Sequence, residues 1–197
     1  MDTIDKKPYE KFPVKFNFSN DLDVLEVITA HTILCVNAVT GADTLATIIA
    51  SDSLSSPDVI AVLQNGSLGD KHKITVRVNT SMGNDYEKDV ILEVGERMEG
   101  VFTKQPNDTF LIAADFSNVM DGTDILSSQS VTAKRKSDGV SVTNEIIYAS
   151  GIEGGKPQVL IGVTDGIDKE IYRIVTQVVT TAGYKMESEI LMTVQEF

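Results

Sequence analysis

Apolar and polar residues alternate at a period of two along much of this chain. Ile74-Thr75-Val76-Arg77-Val78-Asn79 alternates throughout, and Val90-Ile91-Leu92-Glu93-Val94 does so at its even positions, as a half-buried antiparallel strand requires. Between the two runs lies Thr80-Ser81-Met82-Gly83-Asn84-Asp85, where Gly83 supplies the positive φ of a hairpin loop. Shorter β-rich runs precede them at Val14 to Phe18, Thr32 to Ala38, Ala46 to Ala50 and Val59 to Leu63. Turn clusters separate these runs at Asn20-Asp21, Thr40-Gly41-Ala42-Asp43 and Gln64-Asn65-Gly66. No segment sustains a period of 3.6 residues. Leu22 to Thr29 has brief helical spacing, but its counterpart Met120-Asp121-Gly122-Thr123-Asp124 is a poor helix former, and both read as a turn leading into a strand.

The pattern is written twice. From Val14 to Ser51, adding 98 to a residue number lands on a similar residue, as with Phe18 and Phe116, Gly41 and Gly139, or Ile48 and Ile146. From Val59 to Val94 the offset is 100, pairing Gly66 with Gly166, Ile74 with Ile174, Gly83 with Gly183 and Val94 with Val194. The change of offset falls where Asp52 to Asp58 faces the longer Ser150 to Gln158, a loop-like stretch where insertion is tolerated. An internal repeat of six or seven strands with closely spaced turns predicts an all-β protein of two tandem immunoglobulin-like β-sandwich domains. The expected boundaries are domain 1 over residues 1–95, a linker over 96–107 bearing Gly100 and Pro106, and domain 2 over 108–197. Each domain is expected to fold alone.

Composition narrows the partners. Among 197 residues, 17 Lys and Arg stand against 29 Asp and Glu, a net charge of −12, which argues against a phosphate backbone or an anionic membrane surface. No apolar run approaches the roughly 20 residues that span a bilayer. The charged start Met1-Asp2-Thr3-Ile4-Asp5-Lys6-Lys7 is no secretion signal, so the chain is expected either to stay in the cytoplasm or to have lost a signal. Cys35 is the single cysteine; flanked by Ile33, Leu34 and Val36, it reads as a small buried apolar residue.

Candidate chemistry is thin. His31 and His72 face Gln129 and Tyr172 in the second copy, so neither position keeps a titratable ring, and both read as ordinary surface or strand residues. No phosphate-binding glycine loop and no zinc spacing occurs, and no cofactor or metal is expected. Three acidic turns come nearest to a calcium site: Asn20-Asp21-Leu22-Asp23, Asp121-Gly122-Thr123-Asp124 and Asp165-Gly166-Ile167-Asp168. Asp and Gly also dominate turns for conformational reasons, and that is the reading preferred here. Glu87 and Glu187 read as outward-facing strand residues rather than catalytic ones.

The two copies differ on one face. In the second, Tyr172, Ile174, Val178, Ile190, Met192 and Val194 should point inward, matching Ile74, Val78, Val90, Leu92 and Val94. The opposite face then carries Val175, Val179 and Leu191, where the first copy has Thr75, Asn79 and Ile91. An apolar patch on an acidic module marks a contact surface, so these three are the candidate protein-interface residues. Cover by the sister domain or the linker is the alternative.

The second copy also resembles a known family. Phe102-Thr103-Lys104-Gln105-Pro106, Asp115-Phe116-Ser117, Asp124-Ile125, Asp165-Gly166 with Tyr172-Arg173-Ile174, Thr180-Thr181-Ala182-Gly183 and Glu189-Ile190 to Val194 are similar to the bacteriophage fiber–tail adaptors. Those proteins are single immunoglobulin-like domains encoded among head-completion and tail genes. The resemblance covers residues 102–197 well and 10–95 more loosely, with Tyr9-Glu10-Lys11-Phe12-Pro13 standing where Lys-x-Pro is expected and no tyrosine within Gly69 to His72. It implies a non-catalytic virion structural protein of the neck or tail, assembled in the bacterial cytoplasm, in contact with other virion proteins and with its own copies. The alternative is a tandem module of a bacterial surface adhesin or carbohydrate-binding protein. The absence of Trp, with only five Tyr, weakens the sugar-binding version.

Overall fold

The computed structural model describes residues 2–95, 100–120 and 123–196. The chain divides into two compact units, Met1–Glu96 and Arg97–Phe197, each with its own apolar core. In the first unit seven strands form two sheets: β1 (Asp2–Lys6), β2 (Phe12–Asn17), β3 (Ile28–Asn37), β4 (Ile49–Ser55), β5 (Asp58–Leu63), β6 (Lys71–Thr80) and β7 (Asp85–Val94). One sheet has the order β1-β7-β6-β3 and the other β2-β5-β4, the Greek-key sandwich of an immunoglobulin-like domain. The second unit repeats it with β8 (Gly100–Lys104), β9 (Phe110–Asp115), β10 (Leu126–Arg135), β11 (Ile147–Ile152), β12 (Gln158–Val163), β13 (Ile171–Thr180) and β14 (Lys185–Val194), in sheets β10-β13-β14-β8 and β11-β12-β9.

Alternation sets the core. Ile74, Val76, Val78, Val90, Leu92 and Val94 all enter the first core, and Tyr172, Ile174, Val178, Ile190, Met192 and Val194 the second. Burying each such side chain stabilises by about 1.5–3 kcal/mol, so a one-residue slip of register would cost most of the core. The irregularities repeat as well. A bulge between Ile28 and Ala30 recurs between Leu126 and Ser128, and one between Ile49 and Ser51 recurs between Ile147 and Ala149. Gly83 and Gly183 both hold φ of 80° in the final hairpin, as expected of the positive-φ turn position.

Two sequence expectations need correction. The segment 96–107 is not a linker throughout, because Gly100–Lys104 is strand β8, paired in parallel with β14 from Ile190↔Gly100 to Val194↔Lys104. Its equivalent β1 pairs with β7 in the same way, so the second domain takes in β8 and begins before residue 108. Residues 96–99 of that segment lie outside the described residues. The second correction concerns Ala46 to Ala50. Leu45–Ile48 is a single helical turn (α1) leading into β4, and Thr143–Ile146 (α2) repeats it. Ile48 and Ile146 are buried by this turn, so four local residues of apolar and β-branched type serve a corner rather than a strand.

The first strand ends on a buried lysine. Lys6 Nζ donates to the backbone carbonyls of Lys7 at 2.8 Å, Pro8 at 3.4 Å and Asn65 at 2.6 Å. Lys104 does the same for Gln105 at 2.7 Å, Pro106 at 3.1 Å and Asp165. Burial pulls the Lys6 ammonium down to about 8, opposed by the charge of Glu10, and burial also lowers Lys104, opposed by Asp108 and Asp165. Lys6 therefore remains a cation at neutral pH. The acceptors Asn65 and Asp165 sit at φ of 49° and 48°, which turns their carbonyls to the ammonium. Glu10 and Asp108 close the same loop by accepting from Lys7 N at 2.7 Å and Gln105 N at 3.0 Å. Lys-x-Pro is therefore present in the first unit as Lys6-Lys7-Pro8, earlier than the sequence alignment placed it.

Candidate interaction surfaces

Among the described residues, Cys35 and His72 are packed in the first core and His31 is paired. His72 is a strand residue of β6 with its ring buried; its Nδ1 lies 3.0 Å from Thr44 Oγ1, whose hydroxyl is 3.4 Å from Cys35 Sγ. Burial pushes the Cys35 thiol up and the His72 imidazole down, so both stay neutral. The second unit replaces this trio with Ala133, Val142 and Tyr172, which marks it as core filling. His31 pairs with Asp52 at 2.6 Å.

The acidic turns are engaged in the fold. Asp21 pairs with Lys88 at 2.9 Å, the Asp165 carbonyl takes Lys104, and Asp168 accepts from Glu196 N at 2.9 Å. Asp121 and Gly122 lie outside the described residues. Among the described residues no three His, Cys, Asp or Glu side chains are grouped as metal ligands.

The expected interface residues lie on the outward side of sheet β10-β13-β14-β8, and none belongs to the core cluster. Val175 sits between Thr132 and Glu189, Val179 between Ser128 and Lys185, and Leu191 between Arg173 and Val101. They do not form one patch. Gln177, bonded to Glu187 at 2.8 Å, separates Val179 from Val175, and the Arg173–Glu189 pair at 2.6 Å runs between the strands. Leu191 is only 9% exposed, whereas its neighbour Val101 on β8 is 68% exposed. Val101, Leu191 and Val175 thus make a short apolar diagonal where the first unit has Thr3, Ile91 and Thr75. Sequence reasoning missed Val101 because it lay in the supposed linker; the alternation of Val101 and Thr103 with Phe102 and Lys104 was the available signal.

The loop end of each unit is built around one carboxylate, Glu26 in the first and Asp124 at the equivalent position. Glu26 accepts from Thr80 Oγ1, from Asn84 Nδ2 at 2.9 Å, from Asp23 N at 2.8 Å and from Tyr86 OH at 3.4 Å. Asp124 accepts from Thr181 Oγ1 at 2.7 Å, Ile125 N at 2.9 Å and Ala182 N at 3.3 Å. Both thereby tie the β2–β3 or β9–β10 loop to the final hairpin. Hydrogen bonding, led by Thr80, holds the Glu26 carboxyl below its ordinary range. For Asp124 burial pushes upward, but donors from Thr180, Thr181, Ile125 and Ala182 outweigh it and the carboxyl is lowered.

On this shared frame the surfaces diverge. The first unit presents Val24, Leu25, Val27 and Met82, exposed by 86%, 88%, 48% and 55%. The second has Gly122, Thr123, Ile125 and Ala182 at those places, and its longer β11–β12 loop borders a groove of about 760 Å³ lined by Met120, Ile125, Leu126, Ile152 and Pro157 among others. In the first unit that hairpin turns within Ser56-Pro57, and Ser56 Oγ accepts from Ile28 N at 3.1 Å, holding it against β3.

The fold is thus two immunoglobulin-like sandwiches in tandem. Residues 6–93 match the family described as "Podophage GP4 fiber-tail adaptor protein gp77", so the first unit carries the signature of a phage fiber–tail adaptor-like family. The match falls on the first unit, where the sequence resemblance is the looser. Similar solved structures include a chimeric titin Z1Z2 bearing a decorin peptide (9% identity, TM-score 0.36, covering 100% of this chain and 94% of that one). Another is the N-terminal Ig1-2 module of the Drosophila receptor protein tyrosine phosphatase DLAR (8%, 0.31, 99% and 95%). These likenesses add nothing to the strand order given above. No curated protein matches the sequence.

Proposed function

We propose that this chain is a non-catalytic virion structural protein of a phage, an adaptor of the neck or tail that works through protein–protein contacts. The match of residues 6–93 to the fiber–tail adaptor family carries this reading. The duplication supports it: both units keep the core, the buried lysine and the loop-end carboxylate, while their surfaces differ, as expected of two modules with separate contacts. The outer face of the second unit, where Val179 stands apart from the diagonal of Val175, Leu191 and Val101, is one such contact. Assembly in the bacterial cytoplasm fits the lack of any disulfide requirement, since Cys35 is buried and single.

The test is proteomic and genetic. Purified particles of the phage encoding this chain should contain it, and particles from a deletion mutant should lack fibers or lose head–tail joining. Particles without the chain, or a deletion mutant with complete and infectious virions, would overturn the reading. In the intact virion, Val179→Asp should lower incorporation without unfolding the second unit.

A further inference from the structure

We propose that the outward face of sheet β10-β13-β14-β8 binds an acidic segment of another virion protein, one that sets carboxylates beside apolar side chains. This deepens the virion reading above and rests on it. The face reverses the charge of its counterpart. On the first unit the outward positions of β1, β7, β6 and β3 hold three cations, Lys71, Lys73 and Arg77, against five carboxylates, Asp5, Asp85, Glu87, Asp89 and Glu93. Each cation is matched across the strands, Lys71 with Glu93 at 2.7 Å, Lys73 with Asp89 at 2.8 Å and Arg77 with Glu87 at 2.6 Å. On the second unit the equivalent positions hold four cations, Lys134, Lys136, Arg173 and Lys185, against Glu187 and Glu189. Arg173 pairs with Glu189 at 2.6 Å, and Gln177 takes Glu187 at 2.8 Å. Lys134 and Lys136 are exposed, and neither pairs with a carboxylate among the described residues. The acids of the adjoining turns are engaged, Asp138 with Arg135 at 3.3 Å, Glu170 with Ser137 at 2.9 Å and Asp168 beside Lys169 at 3.9 Å. Lys134 also stands directly opposite Arg173, a like-charge pairing that costs stability in a sheet. A positive face on a chain of net charge −12 is complementary to carboxylates from elsewhere.

Apolar positions complete the site. One row crosses the sheet as Lys134, Arg173, Leu191 and Val101, and the next as Lys136, Ile171, Thr193 and Thr103. Ile171 and Thr193 stand where the first unit has the paired Lys71 and Glu93, so an ion pair has given way to uncharged side chains beside the free lysines. Rows lie about 7 Å apart and strands about 5 Å, so these two rows and the row of Thr132, Val175 and Glu189 span roughly 14 Å by 14 Å. That area fits a short extended segment and not a whole domain face, which takes about 800 Å² from each partner. A phosphate backbone would match the lysines but leave the apolar side chains unused, and the net charge of the chain repels a long polyanion.

The experiment is zero-length carbodiimide crosslinking of purified particles, read by mass spectrometry, together with a count of copies per particle for two double variants. One variant carries Lys134→Glu with Lys136→Glu, the other Lys134→Arg with Lys136→Arg. Both lysines are exposed, so the unfolding midpoint of each purified variant should stay within a few degrees of wild type. Wild-type particles should give amide links from Lys134 or Lys136 to Asp or Glu of another virion protein, in a stretch that also carries apolar residues. Charge reversal should lower the copies per particle on the order of tenfold, and the arginine pair should keep them. Links running only to carboxylates of this chain itself, or glutamate particles with the wild-type copy number, would overturn the proposal and leave the chain a virion component. So would an arginine variant lost from particles as fully as the glutamate one. Wild-type particles without the chain would instead overturn the virion reading, and this proposal with it.

Discussion

Replacing Lys6 by Met keeps the length and apolar stem of the side chain but removes every donor from its tip. The carbonyls of Lys7, Pro8 and Asn65 then lose the ammonium. Two of these bonds, at 2.8 and 2.6 Å, are short and charge-assisted, and the third, at 3.4 Å, is weak. The Lys7 carbonyl still accepts from Glu10 N at 3.1 Å, so the loss falls mainly on the bond to Asn65 that ties the strand end to a distant loop, and after the relief of no longer burying a charge it comes to about 2 kcal/mol. For a domain of this size that lowers the midpoint of unfolding by roughly 10–20 °C. Calorimetry of the full chain should show the transition of the first unit moved down and that of the second unmoved, while Lys104→Met should reverse the assignment. The pH dependence has a definite sign. Burial lowers Lys6 to about 8 from 10.5, so between these values the unfolded chain keeps its proton when the folded one has lost it. Wild-type stability relative to the Met variant therefore rises as pH rises from about 8 to 10.5 and is flat below. A Met variant within about 0.5 kcal/mol of wild type at neutral pH would refute the claim that the capped lysine stabilises the unit, and a difference that stays flat from pH 8 to 10.5 would refute the burial penalty on its charge.

Other outcomes are open to direct measurement. Gly183→Ala, at φ 80° with no atom near a new Cβ, should cost about 1 kcal/mol in urea unfolding. Gly166→Ala, at φ 119° with Val194 Cγ2 only 2.7 Å from the new Cβ, should cost about 1–3 kcal/mol more; equal costs would dismiss the packing argument. The Glu26 tie is present at neutral pH and lost as pH falls through its lowered pKa, so hydrogen exchange of residues 22–27 should accelerate in acid for wild type and be pH-insensitive, beyond intrinsic chemistry, in Glu26→Gln. Residues 97–197 expressed alone should unfold cooperatively, whereas a chain beginning at 106 loses β8 and the Lys104 cap and should be markedly less stable. Equal stability of the two fragments would show that β8 is dispensable.

What the sequence by itself determined is what local periodicity and repetition encode. The alternation in Ile74 to Asn79 and its copy at Ile174 to Val179 fixed which side chains enter each core, because a period of two leaves only one face to bury. The offsets of 98 and 100 fixed the duplication and the loop that carries the insertion. The tertiary structure decided the features whose partners are distant in sequence. Asp2-Thr3-Ile4-Asp5-Lys6 reads as a polar leader, and it is a strand only because the exposed edge of β7 satisfies its backbone in parallel register. A lysine is buried only where carbonyls from two loops converge, as at Asn65, 59 residues from Lys6. Glu26 looks like an ordinary surface acid until Thr80 and Asn84 arrive from the far hairpin. Leu22 to Thr29 reads as a turn leading into a strand, and only the fold shows Val24, Leu25 and Val27 exposed on it. Core positions repeat every second residue and are legible one strand at a time; tips, grooves and caps arise from loops brought together by the sheets, and no local pattern records which loops will meet.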